Sequence, residues 1–139
     1  MNTRSLLSPL LIVLALGIGA PASAGSSDPL FLNMTADEAH RALMALMFSR
    51  NQQARGHPVT VFLNDRGVLV GSKTNAEKYR EQQQIIADVL KKGGTVLICP
   101  MCMAHYGVAE ADLLPGIKVG NPELTGEALF KDKTQTLTW

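Results

Sequence analysis

The sequence predicts an α/β domain built on a mostly parallel sheet of about five strands. Three observations carry this. Strand-like and helix-like segments alternate along the chain. Each of the first two helical stretches is preceded by a threonine-led start signal. The third apolar run, Thr95-Val96-Leu97-Ile98, is short, rich in β-branched residues and bounded by breakers, as a fully buried strand is.

The chain has 139 residues, and its first part reads as a targeting segment. Arg4 supplies a positive start, Leu6 to Ile18 a short apolar stretch, and Ala22-Ser23-Ala24 a small-residue cleavage site. The apolar stretch falls short of the roughly 20 residues that span a bilayer. Residues 1–24 are therefore expected to be a cleaved secretory signal, with an uncleaved anchor as the lesser alternative. Residues 25–139 are expected to form one domain. The expected compartment is an oxidising one, the bacterial periplasm, with no membrane attachment after cleavage. A formal charge of +1 gives no basis for nucleic-acid binding.

Pro29 to Met34 reads as the first strand. Thr35-Ala36-Asp37-Glu38 reads as a capping box. The helix after it carries Ala39, Leu43, Leu46 and Met47 on one face, widened by Ala42, Ala45 and Phe48, and Gly56 closes it. His57-Pro58 is a connector, and His57 reads as structural. His40 reads as a packed or partly exposed residue of the first helix. Val59 to Leu63 is the second strand, and Asn64-Asp65-Arg66-Gly67 a turn. Asp65 and Arg66 read as a solvated turn ahead of an anion-orienting pair. Val68 to Gly71 is an apolar piece without clear partners, read as a loop over the strand ends.

Thr74-Asn75-Ala76-Glu77 reads as a second capping box. Its helix turns Tyr79, Ile86 and Leu90 inward with Ile85 and Val89 alongside, and stops at Gly93. Beyond the third strand, Ala109 to Leu114 suggests a helical turn and Ile117 to Gly120 a short strand. Pro122 to Phe130 suggests another turn, and Thr134 to Trp139 a half-buried edge strand.

The chain's two cysteines follow the third strand directly, in Cys99-Pro100-Met101-Cys102-Met103. Pro100 suits the first helical position and Gly107 the stop, which makes Cys99 the N-cap and sets Cys102 in the first turn. Both sulfurs are then expected to face the positive end of the helix, which favours thiolates. In a parallel sheet the functional edge lies beyond the carboxyl ends of the strands. Asn33-Met34-Thr35, Asn64-Asp65-Arg66 and Cys99 to Cys102 should meet there, with Asn121 a further candidate. Ser-His-Asp sets, P-loops and G-x-G-x-x-G motifs are missing, so hydrolase and nucleotide chemistry find no support.

At these residues the sequence resembles the DsrE/TusD-like family of sulfur-handling proteins, which includes the YchN-like proteins. The similarity rests on Gly56-His57-Pro58-Val59 leading to Phe62-Leu63-Asn64 and on Gly67-Val68. It also rests on a cysteine ending the third strand with a glycine eight residues on, Cys99 and Gly107, and on Leu113-Leu114-Pro115-Gly116. The resemblance implies a flavodoxin-like three-layer αβα sandwich, a trimer or hexamer, and sulfane sulfur carried as a cysteine persulfide without an organic cofactor. Its partners would be a sulfur donor or acceptor protein, or a small thiol. Two departures stand out. His105 and Tyr106 occupy positions where the family often has basic residues, and the family's known relays are cytoplasmic.

Other readings of the pair stay open. It could be a structural disulfide or two buried thiols. Cys99, Cys102, Met103 and His105 form a soft donor set suited to copper or zinc. A thiol–disulfide oxidoreductase also places C-x-x-C at a helix start. Oligomerisation is expected from the Trp139 edge strand and from exposed apolar pieces near Val68 and Leu113.

Overall fold

The structure is a computed structural model that describes residues 25–139; the expected signal peptide, residues 1–24, lies outside the described residues. The described residues contain five strands: β1 (Leu30–Met34), β2 (Val59–Leu63), β3 (Thr95–Ile98), β4 (Lys118–Val119) and β5 (Gln135–Thr138). They form one all-parallel sheet in the order β4-β3-β2-β1-β5. Between them run α1 (Ala39–Ala54), α2 (Ala76–Lys91), α3 (Pro100–Tyr106) and α4 (Pro122–Leu129). None of the described helices is long and apolar enough to cross a membrane.

Strand order explains the layers. The steps β1 to β2 and β2 to β3 move the same way across the sheet. Right-handed crossovers therefore put α1 and α2 on one face. The step from β4 to β5 reverses direction and carries α4 to the other face, where Thr125 and Leu129 lie over Phe31 and Phe62. The result is the expected αβα sandwich with unequal outer layers. The main core sits under α1 and α2, where alternate strand residues Leu32, Met34, Val61, Leu63, Val96 and Ile98 are buried. The α4 face is thinner and keeps an open groove of about 320 Å³ between helix and sheet.

Both expected capping boxes are corrected. Glu38, not Thr35, caps α1, its carboxylate accepting from the amides of His40 and Arg41 at 3.1 and 2.8 Å. The Thr35 hydroxyl instead donates to the Trp139 carbonyl at 2.9 Å, tying β1 to β5. Thr74 shares a 2.8 Å bond with the Ser72 hydroxyl, and Asn75 holds the N-cap position of α2 without a capping bond from its side chain. A threonine whose hydroxyl is turned toward another partner is not placed to cap the helix.

The apolar piece after β2 is corrected as well. Asp65–Gly71 winds into a 3₁₀ segment that buries Val68 and Val70 completely. Leu113 is also buried; it forms an isolated antiparallel bridge with Ser72, and the Leu114 amide donates to the Gly71 carbonyl at 3.0 Å. Neither piece is therefore an exposed patch available to a second subunit. Phe48, expected in the core face of α1, is 37% exposed, and its ring lies 6.3 Å from that of Trp139. Buried Ser49, whose hydroxyl donates to the Ala45 carbonyl, takes the core position. His57 is structural as expected, its Nδ1 2.8 Å from the Asp28 carbonyl oxygen.

Gly67 shows how tightly the 3₁₀ segment is seated. A Cβ there would collide with the Met34 carbonyl oxygen at the end of β1. Gly67→Ala is expected to destabilise the fold by about 1–3 kcal/mol, the usual result of overpacking against backbone. A urea unfolding midpoint equal to wild type would show that the segment has slack.

A candidate thiol site at the carboxyl edge of the sheet

Because all five strands run parallel, their carboxyl ends share one edge, and adjacent chain exits are linked there. The Asn64 amide donates to the Met34 carbonyl, the Cys99 amide to Leu63 and the Gly120 amide to Ile98, at 2.8–2.9 Å. The expected meeting of the β1, β2 and β3 ends is thus present. Asn121 does not turn to the sulfurs; its Oδ1 caps α4 by accepting from the Leu124 amide at 2.8 Å.

Cys99 is the N-cap of α3, Pro100 stands in its first turn, and Gly107 ends it at φ +69°, a left-handed conformation that favours glycine. Cys99 and Cys102 are free thiols, both half-buried. Cys99 Sγ accepts the Cys102 amide at 3.3 Å. Cys102 Sγ reaches the turn after β2: it donates to Asn64 Oδ1 at 3.1 Å and accepts the Asp65 amide at 3.2 Å. Asp65 sits at φ +44°, a conformation aspartate tolerates better than most residues, and this aims its N–H at the sulfur.

Asp65 is in turn held by Tyr106, whose hydroxyl donates to Oδ1 at 2.5 Å. The Arg66 guanidinium lies 5.8 Å from the centre of the Tyr106 ring. Its Nε and Nη2 donate to the two oxygens of Asp37 at 2.7 and 3.0 Å. Asp37 is buried, and it also accepts from the Tyr79 hydroxyl at 2.7 Å and Lys78 at 3.3 Å. The Arg66 fork, helped by Tyr79 and Lys78, holds the Asp37 carboxyl well below the usual carboxylate range despite its burial. A chain of contacts therefore runs from the start of α1 through Arg66 and Tyr106 to Asp65 and Cys102.

For Cys102 the expected electrostatics are reversed. Burial pushes its thiol up, the neighbouring Cys99 adds to this, and the Asp65 amide only partly opposes it. The helix start alone does not decide the ionisation of Cys102, because the turn after β2 covers that sulfur.

Among the four residues of the soft-metal reading, the structure brings Cys99 and Cys102 together. Met103 turns into the hydrophobic core, and His105 is exposed with its ring edge-on to Tyr106 at 4.6 Å. Among the described residues no three His, Cys, Asp or Glu side chains converge as a metal site would require. Sequence reasoning placed the Asn64–Arg66 turn near the sulfurs but favoured a solvated turn. It missed Asp37 and the Tyr106–Asp65 bond altogether. The adjacency of the β2 and β3 exits in a parallel sheet was the signal that could have found the turn's role.

Comparisons with known proteins agree with this architecture. Two uncharacterised archaeal proteins align over 80 residues, 57% of this chain: one from Methanopyrus kandleri at 28% identity and one from Methanocaldococcus jannaschii at 30%. The aligned stretch spans 66% and 70% of those two relatives. The fold matches that of the YchN protein of E. coli, with TM-score 0.61 and 18% identity over 80% of this chain and 99% of that one. It also matches a protein of unknown function from Methanobacterium thermoautotrophicum, with TM-score 0.67 and 16% identity over 81% and 100%. The sequence profile of the DsrE/DsrF-like family matches residues 29–135, from the start of β1 into β5. The chain belongs to the DsrE/DsrF-like family.

Proposed function

We propose that this protein is an exported, periplasmic sulfur carrier or sulfurtransferase that holds sulfane sulfur as a persulfide on Cys99. Family membership supports a role in sulfur relay with partner molecules. The observation that carries the reading is the pair of free, half-buried thiols at the exit of β3, held by defined hydrogen bonds at the sheet's functional edge. Residues 1–24 support the location.

In loading, the Cys99 thiolate attacks the outer sulfur of a donor persulfide. The bond from that sulfur to Cys99 forms, the donor's S–S bond breaks, and its electron pair leaves on the donor thiolate. In release, Cys102 gives up its proton and attacks Cys99 Sγ. The outer sulfur departs as hydrosulfide with the bonding pair, and the two cysteines are left oxidised as a disulfide. An external dithiol then supplies two electrons to reset the pair. The donor or acceptor is a partner protein or a small thiol, and the working form is a homo-oligomer, a trimer or hexamer.

Intact mass spectrometry of the protein isolated from its own compartment tests this. The expected chain begins at Gly25 and gains one sulfur atom on Cys99 when reduced and exposed to polysulfide. A chain that takes up no sulfur, or that retains copper or zinc on the cysteines, would overturn it. Rapid reduction of insulin would instead favour an oxidoreductase.

A further inference from the structure

We infer that Asn64 is a positioning residue that keeps Cys102 as a thiol, so that Cys99 is the sulfur that reacts first. Asn64 Oδ1 accepts two hydrogen bonds, from the Asp65 amide at 2.9 Å and from Cys102 Sγ at 3.1 Å. A backbone N–H can only donate, so the Asp65 amide fixes which end of the Asn64 side chain faces the sulfur. It is the oxygen, and Cys102 must be the donor. A thiolate at that distance would confront a second lone-pair acceptor in a half-buried setting, so the arrangement favours S–H.

Each sulfur accepts one backbone amide, and the Asn64 acceptor distinguishes Cys102 from Cys99. Cys99 faces a donor, the Cys102 amide, a partner that a negatively charged sulfur can keep. Cys102 faces an acceptor. The charged and titratable groups around Cys102 are Cys99 and Tyr106 on its own segment and Asp65 and Arg66 on the facing turn; Cys99 favours the thiol, and Arg66 is the one cation among them. The Asp65 carboxylate adds negative potential, while Arg66 is drawn off by Asp37. The Asp65 N–H, shared between Asn64 and Cys102, is the one contact that opposes the effect.

The consequence for reaction order rests on the sulfur-carrier reading, but the ionisation of Cys102 can be measured without it. Reduced protein is alkylated with iodoacetamide across pH, and the adducts are assigned to each cysteine by peptide mapping. Asn64→Ala is expected to lower the midpoint of the Cys102 profile and to speed its alkylation at neutral pH roughly fivefold, the size of one lost hydrogen bond. Asn64→Asp, which keeps the shape and the acceptor, should move the midpoint above wild type. An unmoved midpoint in Asn64→Ala, even with a higher plateau from easier access, would overturn the assignment, as would a fall in Asn64→Asp. Sulfur uptake is assayed separately. If wild type takes up none while the midpoints shift as stated, the carrier reading fails and the role of Asn64 stands.

Discussion

Cys99→Ser is expected to abolish persulfide labelling, and Cys102→Ser to leave the persulfide trapped on Cys99. The asymmetry follows from the two environments. Cys99 caps α3 with its sulfur at the end of β3, while Cys102 is held as a hydrogen-bond donor under the Asn64–Asp65 turn. A serine at 99 cannot attack a sulfane sulfur, because an alkoxide is not accessible at neutral pH, so uptake should fall to background. A serine at 102 can neither displace the outer sulfur nor close a disulfide. The mass gain of one sulfur should then persist after the donor is removed, whereas in wild type it decays with release of sulfide. Labelling that survives the loss of Cys99, or that decays equally fast without Cys102, would sink the assignment of roles.

The second large effect is on stability. Asp37→Ala is expected to lower the unfolding free energy by about 2–3 kcal/mol. The cations it binds are more than half exposed, Arg66 54% and Lys78 59% at the side chain, so they regain water when released. The Tyr79 hydroxyl cannot, because Tyr79 is 1% exposed, and its unpaired donor supplies most of the loss. The pH dependence has a definite sign. The folded chain holds the Asp37 carboxyl below its ordinary range, so in acid the unfolded chain takes up a proton that the folded chain refuses. The ionic contribution is therefore complete above the ordinary carboxylate pKa, about 4, and declines as pH falls below it. Urea midpoints of wild type and Asp37→Asn should differ most near neutrality and approach each other in acid. A gap that stays constant would show that the Arg66 and Lys78 contacts contribute no pH-dependent stability.

Several elements were legible from local composition. β2 and β3 fall on Val59–Leu63 and Thr95–Ile98, where apolar, β-branched runs meet breakers. Cys99, Pro100 and Gly107 take the cap, first-turn and stop positions their chemistry suggests. The two threonine caps were misread for a common reason. Their hydroxyls are claimed by Trp139 and Ser72, and the first of these partners lies 104 residues away in the chain. Val68 and Leu113 look unpartnered in the sequence because their cover comes from segments that meet only after the 3₁₀ turn folds back over the sheet end.

Taken alone, the amino-acid order established a parallel α/β domain and set two thiols at the exit of its third strand, since those signals lie within a few neighbouring residues. Tertiary structure decided that Cys102, which also accepts a backbone amide as Cys99 does, meets a side-chain acceptor. Asn64 and Cys102 are 38 positions apart and become partners only when β2 and β3 pair in register. Burial and hydrogen bonding created by that pairing outweigh the local pull of a short helix start on the Cys102 thiol.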